Sequence, residues 1–143
     1  RRRLSHDPKL LILDEATSGL DPVVRDEVLE LIYDFTRQEN HSVLFSSHIV
    51  GDLEKLCDYV AFLHQGKLLL WEEKDRLLED YGLVNLSLSR LEVLPKETVL
   101  GKRQTPYGVE VLVKKDRLPL GFTAAPVSLE ELFVLLIKGR ETR

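Results

Sequence analysis

Asp14 and Glu15 stand side by side directly after a continuous apolar run at residues 10–13, and Ser46, Ser47 and His48 follow a second apolar run at 43–45. A carboxylate supplies the oxygen ligand that a hard cation wants, and an ionised carboxylate within reach of a water takes its proton. Two adjacent acids beside a histidine therefore make a metal-and-base arrangement, provided the two segments lie next to each other. Taken alone, an apolar strand ending in Asp-Glu is equally a helix cap or a pair of surface charges. The other histidines, His6, His41 and His64, have no metal-like spacing with Cys57 or with one another and read as turn or surface residues.

The elements that must position these residues follow from periodicity. Residues 10–13 read as a strand of a parallel sheet, buried on both faces. Asp21 and Pro22 supply an N-cap and a first-turn proline, and Val24, Val28, Leu31, Ile32 and Phe35 recur at helical spacing, so a helix is expected over 22–38. A strand at 43–45 completes a right-handed βαβ unit. In open α/β sheets ligands sit beyond the carboxyl ends of the strands, which brings Asp14, Glu15 and His48 to one rim.

Further along, a short helix at 51–57 leads to a hairpin of 59–64 and 67–71, expected to close one side of that sheet, and to a helix at 74–81 stopped by Gly82. From Val84 the pattern changes to strands at 84–88, 99–105 and 109–114 with turns at 106–108 and 119–121. Ser128 and Glu131 form a capping box that opens a helix expected to bury Leu132, Phe133, Leu136 and Ile137 before Gly139. The fold class is α/β with a parallel sheet, and residues 1–82 and 83–143 are expected to be separate domains, the second a small α+β module.

The 143 residues carry 24 acidic against 20 basic side chains, a net charge of −4, which lacks the basic excess of a nucleic-acid-binding domain. The three arginines at Arg1, Arg2 and Arg3 read as one turn of a helix, too few charges to anchor a membrane. A single cysteine, Cys57, excludes an intramolecular disulfide and reads as a small buried side chain. No apolar run approaches the roughly 20 residues that span a bilayer, so a cytoplasmic location is expected. The chain contains no methionine, which suggests that it begins inside a longer polypeptide.

The string LLILDE at 10–15 resembles the Walker B segment of ABC ATPases, SGLD at 18–21 resembles their D-loop, and His48 stands where their H-loop histidine is expected. Residues 5–9 resemble the turn before Walker B and 58–68 the hairpin after the H-loop. The resemblance covers about the first 80 residues, and the wording of its motifs favours single-domain subunits of bacterial exporters. It implies the C-terminal part of a P-loop NTPase-type core that binds ATP and Mg2+. Asp14 would hold Mg2+, usually through a coordinated water. Glu15 would orient and polarise the attacking water, and His48 would touch the γ-phosphate. Ser18, Gly19 and Asp21 would form the turn facing a second ATP-binding subunit, in an assembly with a membrane-spanning partner at the inner face of the membrane.

Ala16 occupies a place where that family most often has proline, a change that removes no functional group. A P-loop, a glutamine loop and a Leu-Ser-Gly-Gly signature do not occur in the sequence, which implies that these residues are inert alone. Two other readings stay open: a soluble ABC ATPase acting on DNA or ribosomes, and a non-enzymatic regulatory fragment built on the module after Gly82.

Overall fold

A computed structural model describes residues 9–141, so the opening arginines, His6 and most of the turn before the first strand lie outside the described residues. The chain divides into two compact units, Arg1–Cys57 and Asp58–Arg143. This division falls upstream of Gly82, placing the expected hairpin in the second unit.

In the first unit, β1 (Leu10–Asp14) and β2 (Ser42–Ser46) pair in parallel, with Asp14 opposite Ser46 at the end of the ladder. Between them runs α1 (Pro22–Thr36), which begins where the sequence requires: the Asp21 carboxylate accepts from the Val23 and Val24 N–H groups, each at 3.0 Å. The stripe that α1 buries is Leu29 and Ile32, with Val28 and Phe35 less buried; Leu31 instead points outward at 69% exposure. Helix α2 (Val50–Leu56) follows β2 and ends at Cys57, which is half-buried at the helix terminus. The expectation that the parallel strands are covered on both faces is not met. Leu10, Ile12 and Leu44 are 57–66% exposed, because no element of this unit lies over that face among the described residues.

The second unit opens with the antiparallel hairpin β3 (Tyr59–His64) and β4 (Lys67–Glu73), which forms a two-stranded sheet of its own. Helix α3 (Lys74–Asp80) follows, then β5 (Tyr81–Leu86), α4 (Leu88–Val93), β6 (Gly101–Thr105), β7 (Gly108–Lys114) and α5 (Leu129–Glu141). Strands β5, β7 and β6 form an antiparallel sheet in that order. Val84, Leu86, Val109, Val111 and Val113 share one core with Leu94, while α5 packs on β6 and β7 with Leu129, Leu132 and Leu135 fully buried. The capping box is present: Ser128 N–H donates to Glu131 Oε1, and Glu131 N–H to Ser128 Oγ, both at 3.2 Å.

Two glycines act differently from their sequence reading. Gly82 does not stop α3, which ends one residue before the extended Tyr81; it lies inside β5, where a Cβ would sit 2.8 Å from the Ala124 Cβ. Gly139 does not end α5, which continues to Glu141, and a Cβ there would lie 1.8 Å from the Leu100 carbonyl oxygen. Both residues are small because another segment passes close to them, a demand that chain position alone does not reveal.

Candidate active site

The site grows from the end of the parallel ladder. β1 and β2 stop at the same level, Asp14 against Ser46, and the Glu15 N–H donates to the Ser46 carbonyl at 2.9 Å, adding one rung beyond the strands. Glu15 then takes a φ of 49°, the left-handed region that a non-glycine residue seldom occupies, and the chain leaves the sheet in a turn held by Ser18 N–H to the Glu15 carbonyl at 3.2 Å. Gly19, at φ 76°, supplies the second left-handed residue of that turn. Such geometry aims the two successive acids in different directions from one point on the rim.

Asp14 is exposed, and one of its oxygens, Oδ1, accepts a short hydrogen bond from the Ser46 hydroxyl. His48 reaches Glu15 across the rim, Nδ1 to Oε2 at 2.9 Å, with side-chain exposures of 72% for His48 and 38% for Glu15. A carboxylate oxygen accepts and an imidazole N–H donates, so a His48 tautomer with its hydrogen on Nδ1 matches this contact. Two of the sequence expectations are thus brought together, the acids of one strand end and the histidine of the other. Ser18 and Gly19 lie exposed in the turn and Asp21 is engaged as the cap of α1; none of the three is hydrogen-bonded to His48.

No group of three or more His, Cys, Asp or Glu side chains that could hold a metal occurs among the described residues. One exposed carboxylate with a serine hydroxyl beside it suits a cation that draws most of its oxygens from water and phosphate, as Mg2+ does. It does not suit a metal held in an all-protein cage.

Sequence reasoning missed a polar cluster beneath the rim. Thr17 and Asp52 are 1% and 3% exposed, and the Thr17 hydroxyl donates to Asp52 Oδ2 at 2.9 Å. Arg25 Nε lies 3.8 Å from Asp52 Oδ1. Nothing in the string marks Asp52 as buried, since an acid in the first turn of a helix ordinarily faces water. Its place four residues after His48, with Thr17 two after Glu15, is the available signal.

No family model matches the chain. Among curated proteins, it is 35% identical over 121 residues to the ABC transporter ATP-binding protein YhcH of Bacillus subtilis, covering 81% of this chain and 39% of that one. It is 41% identical over 154 aligned positions to an ABC transporter ATP-binding protein of Nostoc sp., covering 97% of this chain and 45% of that one. The bacitracin transport ATP-binding protein BcrA of Bacillus licheniformis matches 68 residues at 47% identity, covering 48% of this chain and 22% of its own length. A solved structure of a metal-chelate type ABC transporter aligns over 74% of this chain and 39% of its own at a TM-score of 0.45 and 24% identity. The chain spans less than half the length of each of these proteins. The sequence matches, which run across both units, show that the chain is similar to part of the ABC transporter ATP-binding proteins.

Proposed function

We propose that this chain is part of the ATP-hydrolysing subunit of an ABC transporter, of the bacterial exporter type that its motifs favour, and that it contributes the acids and the histidine of the hydrolytic site. The observation that carries the reading is the meeting of Asp14, Glu15 and His48 at one rim, with His48 Nδ1 2.9 Å from Glu15 Oε2. The matches to ATP-binding proteins of transport systems support it.

In this reading Glu15 is the base. Its carboxylate orients a water and takes the proton as the water oxygen bonds to the terminal phosphorus of ATP and the bond to the bridging oxygen breaks. His48 holds the Glu15 side chain through Nδ1–H, fixing one oxygen and leaving the other to the water. Asp14, steadied by Ser46, would hold Mg2+, which when bound would supply positive charge against the phosphates. Ser18, Gly19 and Asp21 lie on a turn that faces a second ATP-binding subunit, with a membrane-spanning partner completing the transporter on the inner face of the cell membrane. No helix among the described residues is long and apolar enough to cross a membrane itself. Residues 83–143 serve as an accessory module in this reading.

Two substitutions in the intact subunit separate the roles. Asp14→Asn weakens the Mg2+-dependent part of nucleotide binding together with turnover, whereas Glu15→Gln leaves ATP affinity near parental while turnover falls. Titration of nucleotide with and without Mg2+ measures the split; equal loss of affinity in both variants would contradict it. The isolated 143-residue chain is expected to bind no ATP in calorimetry with Mg·ATP, since it carries no phosphate-cradling loop.

A further inference from the structure

Beneath the rim, one buried carboxylate touches the segments that carry both candidate catalytic groups. Asp52 lies in the first turn of α2, four residues after His48, and Thr17 lies in the turn two residues after Glu15. The Thr17 hydroxyl and Asp52 Oδ2 meet at 2.9 Å with Thr17 1% and Asp52 3% exposed, and Arg25 of α1 stands 3.8 Å from the other carboxylate oxygen. The Arg25 Nε is itself buried without a hydrogen-bond partner. A charged carboxylate this deep contributes little net stability over an apolar side chain, because its desolvation offsets the attraction to its partners. What it does impose is a single arrangement, since any shift of the turn or the helix leaves a buried charge unsatisfied.

The rim requires such an arrangement. Glu15 sits at φ 49°, a conformation that persists in a non-glycine residue only when its surroundings hold it, and the turn that follows is otherwise closed by backbone bonds of 3.2 and 3.4 Å. On the His48 side, α2 starts at Val50, and Ile49 at the N-cap position supplies no side-chain cap. The side-chain tether between the two loops below the rim is Thr17 to Asp52.

We propose that Thr17 and Asp52 are positioning residues, a buried hydrogen bond that sets the Glu15 carboxylate at contact distance from His48. The inference rests on Glu15 being the base for ATP hydrolysis. Thr17→Val keeps the shape of the side chain and removes the donor. In the intact subunit it is expected to lower kcat on the order of 10- to 100-fold, the penalty of a small misplacement of reacting groups, with ATP affinity unchanged. Thr17→Ser, which restores the hydroxyl, is expected to restore turnover.

The decisive arm combines Thr17→Val with Glu15→Gln. If Thr17 acts through Glu15, the double variant turns over no more slowly than Glu15→Gln alone. Losses that multiply, or a Thr17→Val enzyme with parental kcat, would overturn the proposal and leave the function reading intact. A Glu15→Gln enzyme at parental rate would instead remove the function reading, and this inference with it. Should Thr17→Val fail to fold, Thr17→Cys keeps a weak donor in the same place and carries the same cycle with a smaller loss.

Discussion

The two units bury their chains to very different degrees, and the candidate catalytic residues lie in the less covered one. Arg1–Cys57 holds Asp14, Glu15 and His48, yet its strands expose Leu10, Ile12 and Leu44, and among its described residues the buried apolar side chains are Leu29 and Ile32. Asp58–Arg143 carries none of the candidate catalytic residues and has a dense core, with Val111, Leu112, Val113, Leu129, Leu132 and Leu135 all at 0% exposure. Folding is driven by apolar area removed from water, so the second unit has most of the driving force within itself. In the first, the arrangement at the rim leans on polar ties: the Asp21 cap, the Ser46 hydroxyl and the buried Asp52.

That contrast is open to attack by substitution, beginning with the backbone contact in the second unit. Gly139→Ala places a Cβ 1.8 Å from the Leu100 carbonyl oxygen, and Gly101→Ala meets the Leu135 carbonyl oxygen at 1.9 Å. Neither obstacle is a side-chain end that can swing aside. Each is expected to cost more than the ~1–3 kcal/mol of ordinary overpacking and to unfold the unit around α5. Protease digestion that leaves residues 58–143 intact in these variants would contradict the close packing of that core. Next in size, Leu132→Ala should lower stability by about 2–5 kcal/mol in chemical denaturation, while Ile12→Ser in the first unit should stay within about 0.5 kcal/mol. An equal cost at the two positions would show that the face carrying Ile12 is covered after all.

Ser128→Ala removes one arm of the capping box, at an expected cost of about 1 kcal/mol. The smallest effect is expected at high pH. Burial, with the Asp80 carboxylate adding to it, raises the Tyr81 phenol above its ordinary value. A group whose folded pKa is raised favours the folded chain fully below its unfolded pKa, and that contribution is lost as pH rises through the folded value. Stability should therefore decline above about pH 10, and Tyr81→Phe should lose less over that window in a pH series of thermal melts. A mutant that declines as steeply as its parent would assign the loss to other groups.

Much of the molecule is legible in the sequence because it depends on local chemistry. Asp21 before Pro22 specifies a cap wherever it occurs, Ser128 and Glu131 specify each other, and two apolar runs ending in polar residues predict a shared rim. What the sequence cannot carry is a demand set by a distant segment. Gly82 and Gly139 follow helical patterns and read as stops, but each is small because of a segment that arrives from elsewhere in the chain. Asp52 belongs to the same class, since an acid in a short helix has no local mark of burial. The short helix α4 escapes sequence reading for another reason: it begins where the expected strand at 84–88 ends, and the Ser87 hydroxyl that caps it accepts from Arg90 N–H three residues on. In α1 the inward stripe differs from its expected course at Leu31, which satisfies helical spacing and yet faces outward.

The central claim concerns Glu15, and single-turnover hydrolysis of ATP by the intact subunit carrying Glu15→Gln tests it most directly. The substitution keeps the side-chain size and a hydrogen-bonding partner for His48 while removing the base and its charge. Positioned bases contribute on the order of 10²- to 10⁴-fold, so the hydrolytic step should slow by roughly that factor with ATP still bound. Hydrolysis at the parental rate would contradict the assignment of Glu15 as the base, and with it the catalytic role of its contact with His48.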